Sequence, residues 1–322
     1  MPPRPAPKAP LARFADEAWR PLLLGGATPV EARVDTAFER SLNISFEGGL
    51  LTVLTESGRR APGAMITTLS DVRGVHPEAP VELSEHTLVI GRLELDCSQL
   101  TFFDCAVGPV GLTRAPVAAV FGAMLARHAR PGSFVPGEPE TPFERAITTR
   151  LDAARDAFCA QLRSAASAVA QQQQIDAEAM RHAVASLVGL GFGLTPSGDD
   201  YLVGALAALT LAPGAVASQV RDLVSACVFA LASQRGDHAA TTAVSQHFLL
   251  AACRGEFHED LASAGREILL GGDRADDAVA RGEHRLYFGH RRALRPRRRH
   301  QSFRLIALSA MMASIATSRH NT

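Results

Sequence analysis

The sequence predicts an α+β protein, a β-rich N-terminal domain followed by an all-helical C-terminal domain. Three observations carry that expectation. Between about Pro21 and Ala115, short apolar or alternating runs are separated by Gly/Pro turns, the pattern of strands. From Pro116 onward, apolar residues recur at the three- and four-residue spacing of helices over much longer segments. Residues 133–142 hold three prolines and a glycine, which reads as a linker. The division expected is residues 1–18 as a disordered tail, 19–116 as the β-rich domain, 117–281 as the helical domain and 282–322 as an atypical basic tail.

In chain order, the segment Met1 to Pro10 is proline-stiffened and lacks the apolar stretch of a signal peptide. Trp19, the single tryptophan, suits a packing anchor at the entry to the domain. Ser41 to Phe46 alternates, Glu47-Gly48-Gly49 turns, and Leu50 to Thr55 resumes, which is a hairpin pattern. Further strands are expected at 64–69, 87–93 and 100–107. Asn43 reads first as a strand-end or turn residue, with a ligand contact as the second reading; His76 and His86 receive no role. The helices expected run from Val117 to Arg130, Phe143 to Gln171, Ala217 to Ser233, Ala239 to Arg254 and Glu259 to Leu270, with Asp176 capping the helix that leads into the middle of this half.

That middle, Ser186 to Leu209, concentrates the chemistry. An apolar segment stops in Gly189, Gly191 and Gly193 and restarts after Thr195-Pro196, so the stretch reads as helix, tight loop, helix. Thr195 is expected as N-cap, its hydroxyl accepting from Ser197 or Gly198, with Pro196 at the first helical position. A glycine loop entering a helix N-terminus gathers unpaired N–H groups and the positive end of the helix dipole, which suits phosphate or carboxylate. Gly191, Gly193, Thr195, Ser197 and Gly198 are the ligand-binding candidates. Asp199 and Asp200 would repel a bare anion but could hold Mg²⁺ that bridges to it. The alternative is that both acids merely complement the dipole.

A second constellation is Gln234-Arg-Gly-Asp-His238 and the helix after it. Arg235 could clamp a carboxylate through its planar fork, and His238, with Asp237, could handle a proton. As a plain turn the same segment needs no function. Thr242, Ser245, Leu249, Ala252 and Gly255 fall on one helical face, so Thr242 and Ser245 either line a polar pocket or bond back to the preceding turn.

Composition narrows the class. Thirty-three basic residues balance thirty-three acidic ones, which gives nucleic acid no overall attraction. Five scattered cysteines without a C-x-x-C pair suggest reduced thiols and a cytoplasmic protein. The longest apolar run, from Tyr201, is broken at Pro213-Gly214, so no membrane segment is expected.

The stretch Leu-Gly-Phe-Gly-Leu-Thr-Pro-Ser-Gly-Asp-Asp-Tyr-Leu-Val-Gly, residues 190–204, resembles the signature of a bacterial family first catalogued as a domain of unknown function and now named for a subunit of oxamate carbamoyltransferase. The family also runs Thr-x-x-Ser, Leu, Ala and Gly at the intervals of Thr242 to Gly255, and shows an asparagine and a Gly/Pro turn where Asn43 and Pro62-Gly63 stand, a looser match. The resemblance implies one subunit among several, exchanging oxalurate and phosphate with oxamate and carbamoyl phosphate during anaerobic allantoin degradation. Other subunits and a small anionic substrate are the partners it implies. Two other classes stay open: a non-catalytic partner that binds a nucleotide, acyl-CoA or metabolite, and a metal-dependent hydrolase using Asp199 and Asp200.

Arg285 to Arg304 is dense in arginine. Read directly it is a basic patch, but the family is expected to carry a motif resembling Thr-Ser-Gly-x-Asp here. Back-translating Gly282 to Ala293 with GC-rich codons and shifting by one base permits Gly-Ser-Thr-Gly-Ser-Thr-Ser-Gly-Thr-Asp-Ala-Leu, which contains that motif. A slip of reading frame near Gly282 is therefore expected.

Overall fold

The computed structural model describes residues 10–24, 31–47, 49–84, 86–110 and 141–270. The helix expected over 117–130, most of the linker and the arginine-rich tail lie outside these residues. The described residues form two compact units that divide at Cys105/Ala106, strand-rich before that point and helical in the stretch after Thr141. This is the α+β arrangement the sequence predicts.

In the first unit nine strands form one sheet, β1 (Ala12–Asp16), β2 (Ala32–Ala37), β3 (Ser41–Phe46), β4 (Gly49–Leu54), β5 (Ala64–Thr67), β6 (Pro80–Ser84), β7 (Thr87–Ile90), β8 (Leu93–Asp96) and β9 (Thr101–Phe103), in the order β8-β7-β6-β2-β3-β4-β5-β1-β9. The β4–β5 and β1–β9 pairs are parallel and the others antiparallel. The sheet curls until Asp96, at the end of β8, donates its N–H to Pro10 O at 3.0 Å and bridges Leu11. Strand β1 lies inside the stretch 1–18 expected as a tail. Ala12 and Ala15 bury completely while Arg13 stays out, and the register shifts between Ala12 and Phe14, so β1 breaks the two-residue alternation that would mark it in the sequence. Strands β2, β6 and β8 also escape the sequence pattern, because each buries a single side chain: Val34, Val81 and Leu95.

One face of the sheet makes the core. The register pairs Leu42 with Val53, Ile44 with Leu51, and Val53 with Met65, and these pack with Val34, Leu88, Ile90 and Trp19. Full burial of each such side chain is worth roughly 1.5–3 kcal/mol. Trp19 anchors the sheet as expected: its Nε1 donates to Gly63 O at 3.0 Å, in the Pro62-Gly63 turn before β5. Asn43, expected at a strand end, sits in the middle of β3. Its Nδ2 donates to Thr36 Oγ1 at 2.7 Å and its Oδ1 accepts from Thr52 Oγ1 at 2.9 Å, so the amide ties β2, β3 and β4 together.

In the second unit the helices, numbered after the short α1 (Arg20–Leu24), are α2 (Pro142–Ala170), α3 (Ala177–Ala185), α4 (Ser197–Leu211), α5 (Ala215–Ala232), α6 (Ala243–Cys253) and α7 (Glu259–Leu270). Thr141 and Glu144 close a capping box on α2, with Pro142 at its first position, and Asp176 caps α3 by accepting from Ala179 N at 2.9 Å. All fifteen residues of α4 are buried; α2, α5, α6 and α7 pack around it. Beyond its acidic first turn the helix is apolar on every side, which suits the centre of a bundle. Within it, Tyr201 meets Phe158 edge to face and its hydroxyl lies 3.2 Å from Cys159 Sγ. Helix α5 is long and apolar enough to cross a bilayer; it packs on α2, α3, α4 and α6 through the face that carries Val220, Val224 and Val228, and leaves Phe229 exposed.

Candidate functional site

Two helix N-termini meet at the glycine loop. Helix α4 starts at Ser197 with Pro196 as its cap residue and no side-chain cap bond, which corrects the expected Thr195 cap. With ψ at 142°, Pro196 is extended and stands before the helix, and the Gly198 N–H that Thr195 would have served goes to Leu190 O at 2.8 Å. Helix α6, expected from Ala239, starts at Ala243 because Gly236–His238 is a separate 3-10 turn and Thr242 takes the cap, accepting from Ser245 N at 3.1 Å. The same Thr242 hydroxyl donates to Leu194 O in the glycine loop. It therefore binds the loop and not the preceding turn.

The glycines are required by contact as much as by dihedral. Gly189 has φ +72°, and a Cβ there would lie 2.3 Å from Ala240 O; at Gly198 a Cβ would lie 2.0 Å from Leu187 O. Loop, α4 and the turn before α6 are in backbone contact, which only glycine allows.

Asp199 joins the three. It is 1% exposed; Oδ1 accepts from Gly189 N at 2.8 Å and Oδ2 from the Thr241 hydroxyl. Burial pushes its carboxyl up to about 6, against the Thr241 and Gly189 hydrogen bonds and a smaller pull from Ser245, while Asp200 adds to the rise. Ser245 Oγ is buried beside this carboxylate without hydrogen-bond geometry of its own. Its contribution to the carboxyl is one of proximity. Asp200 is buried in the same turn of α4.

The structure thus brings Asp199, Thr242 and Ser245 together with the loop bearing Gly191, Gly193, Thr195, Ser197 and Gly198. Arg235 and His238 lie on the exposed turn between α5 and α6, outside the set of groups that touch Asp199. Asn43 belongs to the first unit. Thr241 was not among the residues singled out by sequence; the adjacent hydroxyls of Thr241-Thr242 ahead of an apolar helix were the available signal. For Mg²⁺ the fit is poor. Both Asp199 oxygens already accept hydrogen bonds, and among the described residues no group of three His, Cys, Asp or Glu side chains could hold a metal.

The first turn of α6 offers a ligand free donors. Of its opening N–H groups, Ser245 bonds Thr242 Oγ1 and Gln246 bonds Thr242 O, which leaves Ala243 and Val244 as the helix's orphan donors. Ala243 is exposed, so this end of the dipole faces solvent.

Comparison with known proteins gives two family matches. Residues 14–102 match the AllH family N-terminal domain, and residues 187–290 match oxamate carbamoyltransferase subunit AllH. No solved structure matches the chain. The first match spans β1 to β9 and the second spans the glycine loop, α4, α5, α6 and α7, and together they take in most of the chain: it belongs to the AllH family of oxamate carbamoyltransferase subunits.

Proposed function

We propose that this subunit supports carbamoyl transfer between oxalurate or oxamate and phosphate, in cytoplasmic allantoin catabolism, by holding an anionic end of the substrate at the first turn of α6. The observation that supports this reading is the meeting of the α4 and α6 N-termini at the glycine loop, inside the matched segment. Such a transfer needs an anion cradle, donors for a developing oxyanion and a carboxylate clamp, with little covalent chemistry. The α6 turn serves the first need, the loop N–H groups the second, and Arg235, from the turn that leads into α6, the third. His238 on that turn would carry a proton.

Membership of a subunit family supports the reading that other subunits complete the reaction. The test is to express the chain alone and with its partner subunits, and to measure carbamoyl phosphate formation from oxalurate beside thermal shifts with oxalurate, oxamate, carbamoyl phosphate and phosphate. Activity confined to the complex, with at least one of these ligands raising Tm, is expected. Robust transfer by the isolated chain would overturn the division of labour, and silence of both assays would overturn the substrate. A partner that only binds a nucleotide or acyl-CoA predicts shifts with ADP or CoA instead.

A further inference from the structure

We infer that Asp199 is a positioning residue, the built-in anion that fastens the glycine loop to α6 from beneath, and not a ligand of a cation or a group that touches substrate. Three features carry this. The carboxylate is 1% exposed, so a ligand arriving from solvent meets the loop above it. Its two oxygens hold donors from different segments, Gly189 N–H before the helix and the Thr241 hydroxyl after α5. Those segments also touch directly, since Gly189 stands where a side chain would strike Ala240 O, and Thr242 bonds Leu194 O one step further along. A carboxylate suits this place because both of its oxygens accept; an alanine would take the acceptor from a part-buried N–H and a part-buried hydroxyl.

The inference does not depend on which ligand binds, and it reverses the direct role that two adjacent aspartates at a helix start suggest.

Amide hydrogen exchange of Gly189, compared with amides of α5 in the same full-length chain, tests it. In Asp199→Ala, Gly189 should exchange faster by about tenfold or more, the consequence of losing a charged acceptor, while α5 amides keep their rates. Asp199→Asn should rescue most of the protection, because Oδ1 still accepts from Gly189 and Nδ2 can donate to Thr241 Oγ1. Should Asp199→Ala fail to fold, Thr241→Val removes the other end of the bridge and should speed exchange at Gly189, with Thr241→Ser restoring it. Wild-type protection should be the same with Mg²⁺ and with EDTA. Unchanged Gly189 exchange in Asp199→Ala or Thr241→Val, or loss of protection on adding EDTA to the wild type, would sink the inference; the carbamoyl-transfer reading would survive either result, because the exchange assay contains no substrate.

Discussion

At Gly189 and Gly198 a single methyl decides the matter. Gly189→Ala meets a left-handed φ of +72° and a backbone oxygen at 2.3 Å. The dihedral alone costs of order 1–3 kcal/mol, and the collision adds to it, so urea unfolding should show a loss of at least that size. Asp199 makes stability depend on pH. Its folded carboxyl titrates at about 6, above the ordinary 3.8, so between those values the folded state holds a proton that the unfolded chain has released. Stability contributed at this site is therefore greatest below that window, falls as pH rises through it, and is flat above it, a change on the order of a few kcal/mol. Asp200, on the same helix, is the titratable neighbour; Gly189, Thr241 and Ser245 carry no charge. Unfolding free energies measured from pH 4 to 7 should show this slope in the difference between wild type and Asp199→Asn. Asp200→Asn keeps the side-chain shape, so if Asp200 serves the ligand the variant should melt near the wild type and bind less tightly. Early melting with normal binding would assign it to the helix dipole, where about 1 kcal/mol is at stake.

For the elements, legibility in the sequence follows the range of the signal. Caps and hairpins are local: Asp176 caps where expected and β3 pairs with β4 as the hairpin pattern predicts, while the Thr141–Glu144 box, just as local, is a cap the helical spacing alone does not single out. The glycine loop was also legible, because glycine crowding before an apolar helix is a short pattern. The bridge from Asp199 to Thr241 spans forty-two residues, and no spacing rule connects them. Thr195 misled because a good capping residue was read without knowing that Leu190 O would take the Gly198 N–H. Strand order was hidden for the same reason, since β1 finds its partners far along the chain. Helix α4 gives the test at this scale: Leu206, 0% exposed in the middle of a wholly buried helix, should cost about 2–5 kcal/mol when cut to alanine, read as a lower midpoint in guanidinium with an unchanged slope.

For the whole molecule, membership of a subunit family implies other subunits, and affinity purification of the tagged chain from its own cells should recover them. The family match ends at residue 290, within the arginine-rich stretch whose reading frame is in question. Resequencing the gene settles that point. Codons for Gly282 to Ala293 that cannot be read as Thr-Ser-Gly-Thr-Asp one base over would end the frame-slip idea; compatible codons, with the frame restored, should raise both Tm and ligand affinity.

The place of β1 in the sheet bears on how this unit comes to exist. Strand β1, the earliest of the described strands in chain order, sits between β5 and β9 and next to the end of β8, so its hydrogen bonds wait for residues 64–67, 96 and 101–103. Until Thr67 has emerged, Ala12 to Asp16 has neither neighbour, and until Phe103 has emerged one of its edges stays open; pairing across such separations is slow. Exposed strands of that kind are where other chains attach. Synthesis rate through the codons for residues 12–103, and a chaperone able to hold a short strand, should therefore change the soluble yield.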